Sequence, residues 1–350
     1  MKKVLSLLMI LAIAVSLVGC GGGGETKTLT LGFVTDLGGI NDKSFNQTSW
    51  EGIEKFAKEI KMDMNNVKFL QSTTDSDYVP NLTSFADEGI DLIVAAGFLF
   101  ADAIQEVVGK YPEQKMLIID VNWCEGENLQ QAVFAEHEGS FLVGLVAGLA
   151  AKEAGKDKVG FVMGMESAVM AKFYAGYEAG VHEVFPECEI MYDNAQHFQS
   201  PEIGKALATK QFNAGAYIVY HAAGLTGDGV IQEAAERRKA GEDVWAIGVD
   251  KDQYEYGIYE GDKSSVLTSM LKRVDVASYN AAKAVYDGTF EGGVIVYDLK
   301  ANGVGIPANN PSFAAFETDF DAELKPFIDK IVSGELVIPE KSPSGRGLGS

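Results

Sequence analysis

The chemistry-bearing residues of this chain are carboxylates and aromatics, not nucleophiles. Three aspartates close short apolar runs: Asp36 after LTLGFVT, Asp120 after KMLII and Asp250 after VWAIGV. Two phenylalanines stand in the polar stretches that follow such runs, Phe45 in NDKSFNQ and Phe198 in AQHFQSPEIGK, with Asn46 beside the first. An ionised carboxylate accepts hydrogen bonds from neighbouring hydroxyls. Aromatic side chains stack on the face of a flat ring, and an amide beside a carboxylate reads a ring edge by matching donors to acceptors. Gly97, Gly164, Gly224 and Gly227 also fall at run ends or in the following loops, where a missing Cβ lets backbone approach a ligand. The set suits a neutral polyol that carries a flat ring. No cluster of arginine or lysine accompanies it, so a phosphorylated ligand is disfavoured. Each member alone has an ordinary use: a strand-end aspartate forms turns and a loop phenylalanine packs. The joint pattern carries the argument, and Asp42 reads as turn chemistry.

Nothing points to covalent or metal catalysis. His137, His182, His197 and His221 are scattered, and no Cys/His spacing suits zinc. There is no triad signature, Walker loop or HExxH motif. GLTGDG at 224–229 is glycine-rich without the dinucleotide spacing. A non-enzymatic protein without cofactor or metal is therefore expected. The formal charge is -21, which argues against a nucleic-acid backbone or an anionic lipid surface as partner.

The elements that must position these residues follow from periodicity. Strands are predicted over 29–36, 67–72, 91–97, 115–120, 131–137, 158–164, 189–194, 217–222, 244–250, 265–271 and 292–299. Helices are predicted over 44–60, 79–88, 100–110, 139–154, 168–185, 201–213, 227–240, 273–287 and 319–333. Apolar strands alternating with helices imply an α/β fold with parallel sheets covered on both faces. In such sheets ligands bind outside the carboxyl ends of the strands, where the aspartates stand. Ser44 and Gln47 have capping-box spacing, and Trp50, Ile53, Phe56, Ala57 and Ile60 form one apolar face. This reading puts Phe45 and Asn46 on an exposed first turn. Ser200 is the expected cap of the helix that follows Phe198.

The amino terminus is set apart. MKKVLSLLMILAIAVSLVGC has a basic start, an apolar run and a final cysteine, the pattern of a secretory signal. LVGC resembles a bacterial lipobox, which implies removal of residues 1–19 and lipidation of Cys20. Residues 20–27, glycine-rich, read as a flexible tether. The remaining length suits two lobes. Cys124 and Cys188 fall in different parts of the pattern and are expected to be free thiols.

Several segments, in order, carry a family resemblance: TDLGGINDKSFNQTSWEG (35–52), FLVGLVAGLAA (141–151), VGFVMGM (159–165), HAAGLTGDGV (221–230), AIGVDKDQ (246–253) and TSMLKRVDVA (268–277). The chain resembles the basic membrane protein family of bacterial lipoproteins, purine-nucleoside-binding proteins of ABC importers. The resemblance implies a type I periplasmic binding protein: two Rossmann-like lobes, three hinge crossings and a ligand between the lobes. It implies a first lobe from 28–136 and 273–290, a second from 137–271 and 292–340, and a tail from 341–350. Phe45 and Phe198 are implied as stacking walls, Asn46 and Asp120 as base readers, and Asp36 and Asp250 as ribose acceptors. Gly224 and Gly227 would present backbone to the ribose, and Lys272 would donate to the sugar. Gly97, Met163 and Met170 are added as pocket lining. Leu225 stands where a smaller residue is usual, and DVNWCEGENLQQ departs from the family pattern; Trp123 there either shields the pocket or packs. The implied partners are inosine, guanosine or adenosine, the permease subunits, and the outer face of the cell membrane through Cys20, with the protein acting as a monomer. A pentose or small polyol as ligand, and a role as surface adhesin or receptor, stay open. A nucleoside hydrolase is disfavoured because Asp36 and Asp42 are too isolated to hold a metal or water.

Overall fold

The computed structural model describes residues 28–346. The signal sequence, Cys20 and the tether lie outside the described residues. Each of the runs predicted as strands forms one, and each predicted helix forms. The first half of the chain runs β1 (Leu31–Thr35), α1 (Phe45–Glu59), β2 (Val67–Gln71), α2 (Tyr78–Glu88), β3 (Leu92–Ala95), α3 (Ala101–Lys110), β4 (Lys115–Ile119) and β5 (Leu129–Phe134). It continues through α4 (Glu136–Glu153), β6 (Lys158–Met163), α5 (Ala168–Val184), β7 (Glu189–Asn194), α6 (Pro201–Asn213), β8 (Ile218–Ala222), α7 (Thr226–Lys239) and β9 (Trp245–Asp250). A short hairpin of β10 (Ile258–Glu260) and β11 (Lys263–Ser264) precedes β12 (Val266–Lys272), α8 (Val274–Asp287), β13 (Gly293–Tyr297), β14 (Val304–Gly305) and α9 (Phe320–Ser333).

Two six-stranded sheets result, with orders β13-β5-β4-β3-β1-β2 and β14-β12-β9-β8-β6-β7. The first is parallel throughout. The second is parallel except for β14, which runs antiparallel to β12. Central strands such as β1, β3 and β8 are buried along their whole length, as parallel strands covered by helices on both faces must be. α1 packs on α8, α4 on α5 and α6 on α7. The α1–α8 contact is backbone-close: a Cβ on Gly52 would lie 2.1 Å from the Asp275 carbonyl oxygen.

The chain passes between the sheets three times: from β5 into α4, from β12 into α8, and from β13 into β14. The expected division assigned residues 292–340 to the second lobe. Instead β13 pairs in parallel with β5, Val294 opposite Gln131, and extends the first sheet. The reason is local: α8 packs on α1, beside the first sheet, and delivers the next strand to that sheet's open edge. A second boundary differs as well. Glu136 and His137, predicted at the end of a strand, form the first turn of α4, because the ladder with β4 stops at Ala132 and that with β13 at Phe134.

Candidate functional site

The carboxyl ends of the two sheets face one another across a cavity. From the first sheet and its loops it is lined by Asp36, Gly38, Asp42, Phe45, Asn46, Gly97, Phe98, Leu99 and Asp120. From the second it is lined by Met170, Phe173, Phe198, Ala222, Ala223, Gly224, Val249, Asp250 and Lys272. The structure therefore gathers ten of the residues singled out from sequence: Asp36, Phe45, Asn46, Gly97, Asp120, Met170, Phe198, Gly224, Asp250 and Lys272. Two others stay outside the lining. Met163 is fully buried in the second sheet between β7 and β8. Gly227 lies in the first turn of α7, where an added Cβ would sit 1.9 Å from His221 Nδ1; it serves helix-to-strand packing. Trp123 is 56% exposed and also lies outside the lining.

The start of α1 is built differently from the capping box expected of Ser44 and Gln47. Asp42 does the capping: Oδ1 accepts from the backbone N–H of Ser44 and Gln47 at 3.0 Å each, and Oδ2 from Asn46 N at 2.8 Å. A carboxylate satisfies several orphan amides at once and suits the positive end of the helix. Ser44 is thereby released and donates its hydroxyl to Asp250 Oδ2 on the other sheet. Asn46 is not on an exposed turn; it is 1% exposed. Its Nδ2 donates to Asp36 Oδ1 at 2.7 Å and Asp42 Oδ2 at 2.9 Å, and its Oδ1 accepts from Asp36 N at 3.1 Å. Both amide hydrogens are thus committed to holding the two aspartates. Ser200 likewise makes no side-chain cap to α6; its backbone N–H donates to Thr226 Oγ1.

Glycines seat the two phenylalanines. At Gly97 (φ 105°) a Cβ would stand 3.3 Å from Phe45 Cε1, and at Gly164 it would stand 2.3 Å from Phe198 Cε1. Phe98 meets Phe198 edge to face, centroids 6.2 Å apart. Phe98 and Leu99 were missed from sequence, although they directly follow the strand-end Gly97. Phe173 was missed too; it lies three residues after Met170 on one face of α5, a helical spacing that was available.

Asp120 and Asp250 are both buried and both left-handed, with φ of 67° and 69°, a conformation that short polar residues tolerate best. Lys272, 2% exposed, lies 2.6 and 2.7 Å from the two Asp120 oxygens and 3.1 Å from Glu136 Oε1. Its ammonium also stands 5.3, 5.1 and 5.4 Å from the ring centres of Phe45, Phe134 and Phe173, within cation–π range. Burial opposes its charge, but Asp120, Glu136 and Asp250 together hold its pKa above the usual lysine range. Glu136 was not foreseen; a carboxylate that opens a nearly apolar buried helix needs a cation, and that was the available signal. Burial pushes Asp36 up to about 7 against the hydrogen bonds from Asn46 and Gly38. Burial also pushes Asp250 up to about 7, against the pull of Lys272 and Ser44. Asp42 is raised by burial as well. Cys124 and Cys188 are free and buried.

The sequence profile of the Bmp family, described as ABC transporter substrate-binding protein PnrA-like, matches residues 29–342. The chain belongs to this family. Among its relatives is the "CD4+ T-cell-stimulating antigen" of Listeria monocytogenes, 36% identical over 97% of this chain and 100% of that protein. The "ABC transporter nucleoside-binding protein BmpA" of Lactococcus lactis is 34% identical over 97% of this chain and 99% of its own. Among solved structures, an ABC transporter solute-binding protein of Aeropyrum pernix superposes with a TM-score of 0.79 at 28% identity, covering 89% of this chain and 94% of that one. The family member described here therefore has the two-lobed type I periplasmic binding fold and is a substrate-binding protein of an ABC transporter. Among its described residues no helix is long and apolar enough to cross a membrane.

Proposed function

We propose that the protein captures a purine nucleoside between its lobes and passes it to the permease of an ABC importer, without chemistry on the ligand. The observation that carries this reading is the presence of Phe45 and Phe198, one from each side of the cavity, in one lining with the buried aspartates. The base stacks on the two rings. Asp120 and the Asp36–Asn46 pair meet its polar edge, and since both Asn46 hydrogens are spent inside the protein, Asn46 contributes mainly by aiming Asp36. Asp250 accepts ribose hydroxyls, Gly224 offers backbone beside the sugar, and Lys272 balances the carboxylates. Lys272 is the one cation lining the cavity among the described residues, and it is already paired to Asp120 and Glu136. A phosphate added to the sugar would meet carboxylates in a desolvated space, where like charges cost most. The name of the Lactococcus lactis relative supports the same ligand class. The reading places the mature protein, a monomer, on the outer face of the membrane through lipid on Cys20.

Calorimetry with inosine, guanosine, adenosine, their 5'-monophosphates and free ribose tests the proposal. Nucleosides bind, and monophosphates and ribose bind far more weakly or not at all. Equal affinity for inosine and its monophosphate, or for ribose and inosine, would overturn it. Release of free base on incubation would overturn the non-catalytic part.

A further inference from the structure

One buried amide outside the cavity lining ties the turn that carries Asp250 to the loop that leads into Phe45. Gln253 is 1% exposed. Its Oε1 accepts from Val249 N at 2.9 Å and stands 3.1 Å from His221 Nε2. Its Nε2 donates to the backbone oxygen of Lys43 at 3.0 Å. These partners fix the amide's orientation, because a backbone N–H can only donate and a carbonyl can only accept. Since Oε1 is the acceptor, His221 carries its proton on Nε2, and burial holds that ring neutral by pushing its pKa down to about 4. The Gln253 backbone N–H is anchored in turn on Ser269 Oγ at 3.0 Å.

Val249, His221 and Ser269 belong to the second sheet, whereas Lys43 belongs to the loop before α1 of the first lobe. We infer that Gln253 is a positioning residue for ligand capture: it braces the left-handed turn at Asp250 and contributes a lobe-to-lobe hydrogen bond that exists only when the lobes are closed. Neighbouring contacts cross at the same place. Ser44 donates to Asp250, Lys43 Nζ lies 2.8 Å from Asp228, and Lys251 reaches both Glu51 oxygens at 2.8 and 2.9 Å. The last two pairs are partly exposed and each worth little. The Gln253 bond is buried, and removing its donor leaves the Lys43 carbonyl without a partner away from water in the closed form. Closure therefore has a protein-only component, and the apparent affinity for any ligand scales with the closed fraction.

Two variants remove the bridge. Gln253→Glu keeps an acceptor for Val249 and loses the donor to Lys43; Gln253→Ala loses both. Small-angle scattering of the ligand-free proteins and calorimetry with inosine, guanosine and adenosine provide the readouts, with melting curves as a check on folding. Both variants should enlarge the ligand-free radius of gyration. Both should weaken all three nucleosides by one common factor, roughly tenfold for a buried hydrogen bond. Scattering profiles and affinities unchanged from the wild type would overturn the inference. So would a loss that differs among the three nucleosides, since that would mark Gln253 as a contact to the base. The affinity arm rests on the nucleoside reading. The scattering arm does not, so a wild type that binds none of the three would refute the ligand class and still leave the bridge decided.

Discussion

The two aspartates held near 7 make acidity the sharpest perturbation of this site. In the ligand-free protein Asp36 and Asp250 are each pushed up to about 7 by burial. A ligand group that donates a hydrogen bond to a carboxylate favours the ionised form, so binding lowers these pKa values and releases protons. Affinity must then rise with pH. For one carboxylate at about 7 that must ionise to bind, linkage makes affinity at pH 8 roughly 30-fold tighter than at pH 5.5; if both must ionise, the factor is roughly the square of that. Stability of the ligand-free protein has the opposite sign. A carboxyl group whose folded value lies above its unfolded value contributes stability that is complete below the unfolded value and is lost as pH rises through the folded one. The window here runs from about 4 to about 7, and a shift from 3.8 to about 7 corresponds to roughly 4 kcal/mol per group. His221 and His137 are pushed down to about 4 by burial, so each makes stability rise with pH between about 4 and the ordinary histidine value near 6.5, which offsets part of the carboxyl effect over that interval.

Inosine titrated by calorimetry from pH 5.5 to 8.5, in two buffers of different ionisation enthalpy, gives both affinity and proton release. Melting curves over the same range, with and without inosine, give the stability side. The expected picture is a ligand-free protein that melts lower as pH rises through about 7, tighter inosine binding from pH 5.5 to 8, and the largest stabilisation by ligand at the alkaline end. Asp250→Asn should reduce the slope of log affinity against pH by up to one. A flat affinity profile without proton release, or tighter binding in acid, would refute the assignment of ligand hydrogen-bond donors to these carboxylates.

Other expectations follow from single contacts. Phe45→Ala should weaken inosine, guanosine and adenosine by similar factors, about 1–3 kcal/mol, since stacking is indifferent to base identity; a reordering of the three would assign the base edge to Phe45. Lys272→Met leaves Asp120 and Glu136 buried without their cation and should destabilise the ligand-free protein by about 3–5 kcal/mol; adding Glu136→Gln should restore part of the melting temperature, and no recovery would show that Glu136 does not depend on Lys272. Asn46→Ala frees Asp36 and Asp42 from their shared donor and should weaken all three nucleosides while also lowering the melting temperature; selective loss of one nucleoside would show direct base reading.

The elements were legible because strands and helices here obey their own periods. Continuous apolar runs such as DLIVAAG cannot be amphipathic, and the strand-end rule then put Asp36, Asp120 and Asp250 at one level. What was not legible depended on which partner reached a group first. Ser44 and Gln47 had the right spacing for a cap, but Asp42 took the amides, and Ser44 bonded across the cleft. Asn46 sat where a first turn is usually wet, yet two aspartates enclosed it. Gly227 looked like a ligand-facing turn, whereas its missing Cβ makes room for His221. β13 went to the first sheet because the packing of α8 placed the chain there, which no local pattern in GGVIVYDL encodes.

The strand orders β5-β4-β3-β1-β2 and β12-β9-β8-β6-β7 run in register with one another, so β4 and β9 are equivalent strands of the two sheets. Asp120 follows the first and Asp250 ends the second, and both adopt the same left-handed turn. Equivalent backbone gives the two carboxylates mirrored stations on opposite walls of the cleft. Their partners differ. Asp120 is gripped by an ammonium at 2.6 Å, while Asp250 has the Ser44 hydroxyl as its direct partner and Lys272 only as a more distant charge. A hydroxyl can be exchanged for a ligand hydroxyl at little electrostatic cost, but an ion pair in the same surroundings cannot be broken cheaply. The asymmetry therefore directs an incoming diol to Asp250 and leaves the paired Asp120 to meet a donor without giving up its lysine. Exchanging the two environments tests that division: Ser44→Ala should leave Asp250 able to accept a ligand and retain inosine binding, while loss of the Lys272 ammonium should disturb Asp120 and with it the ranking of the purine bases.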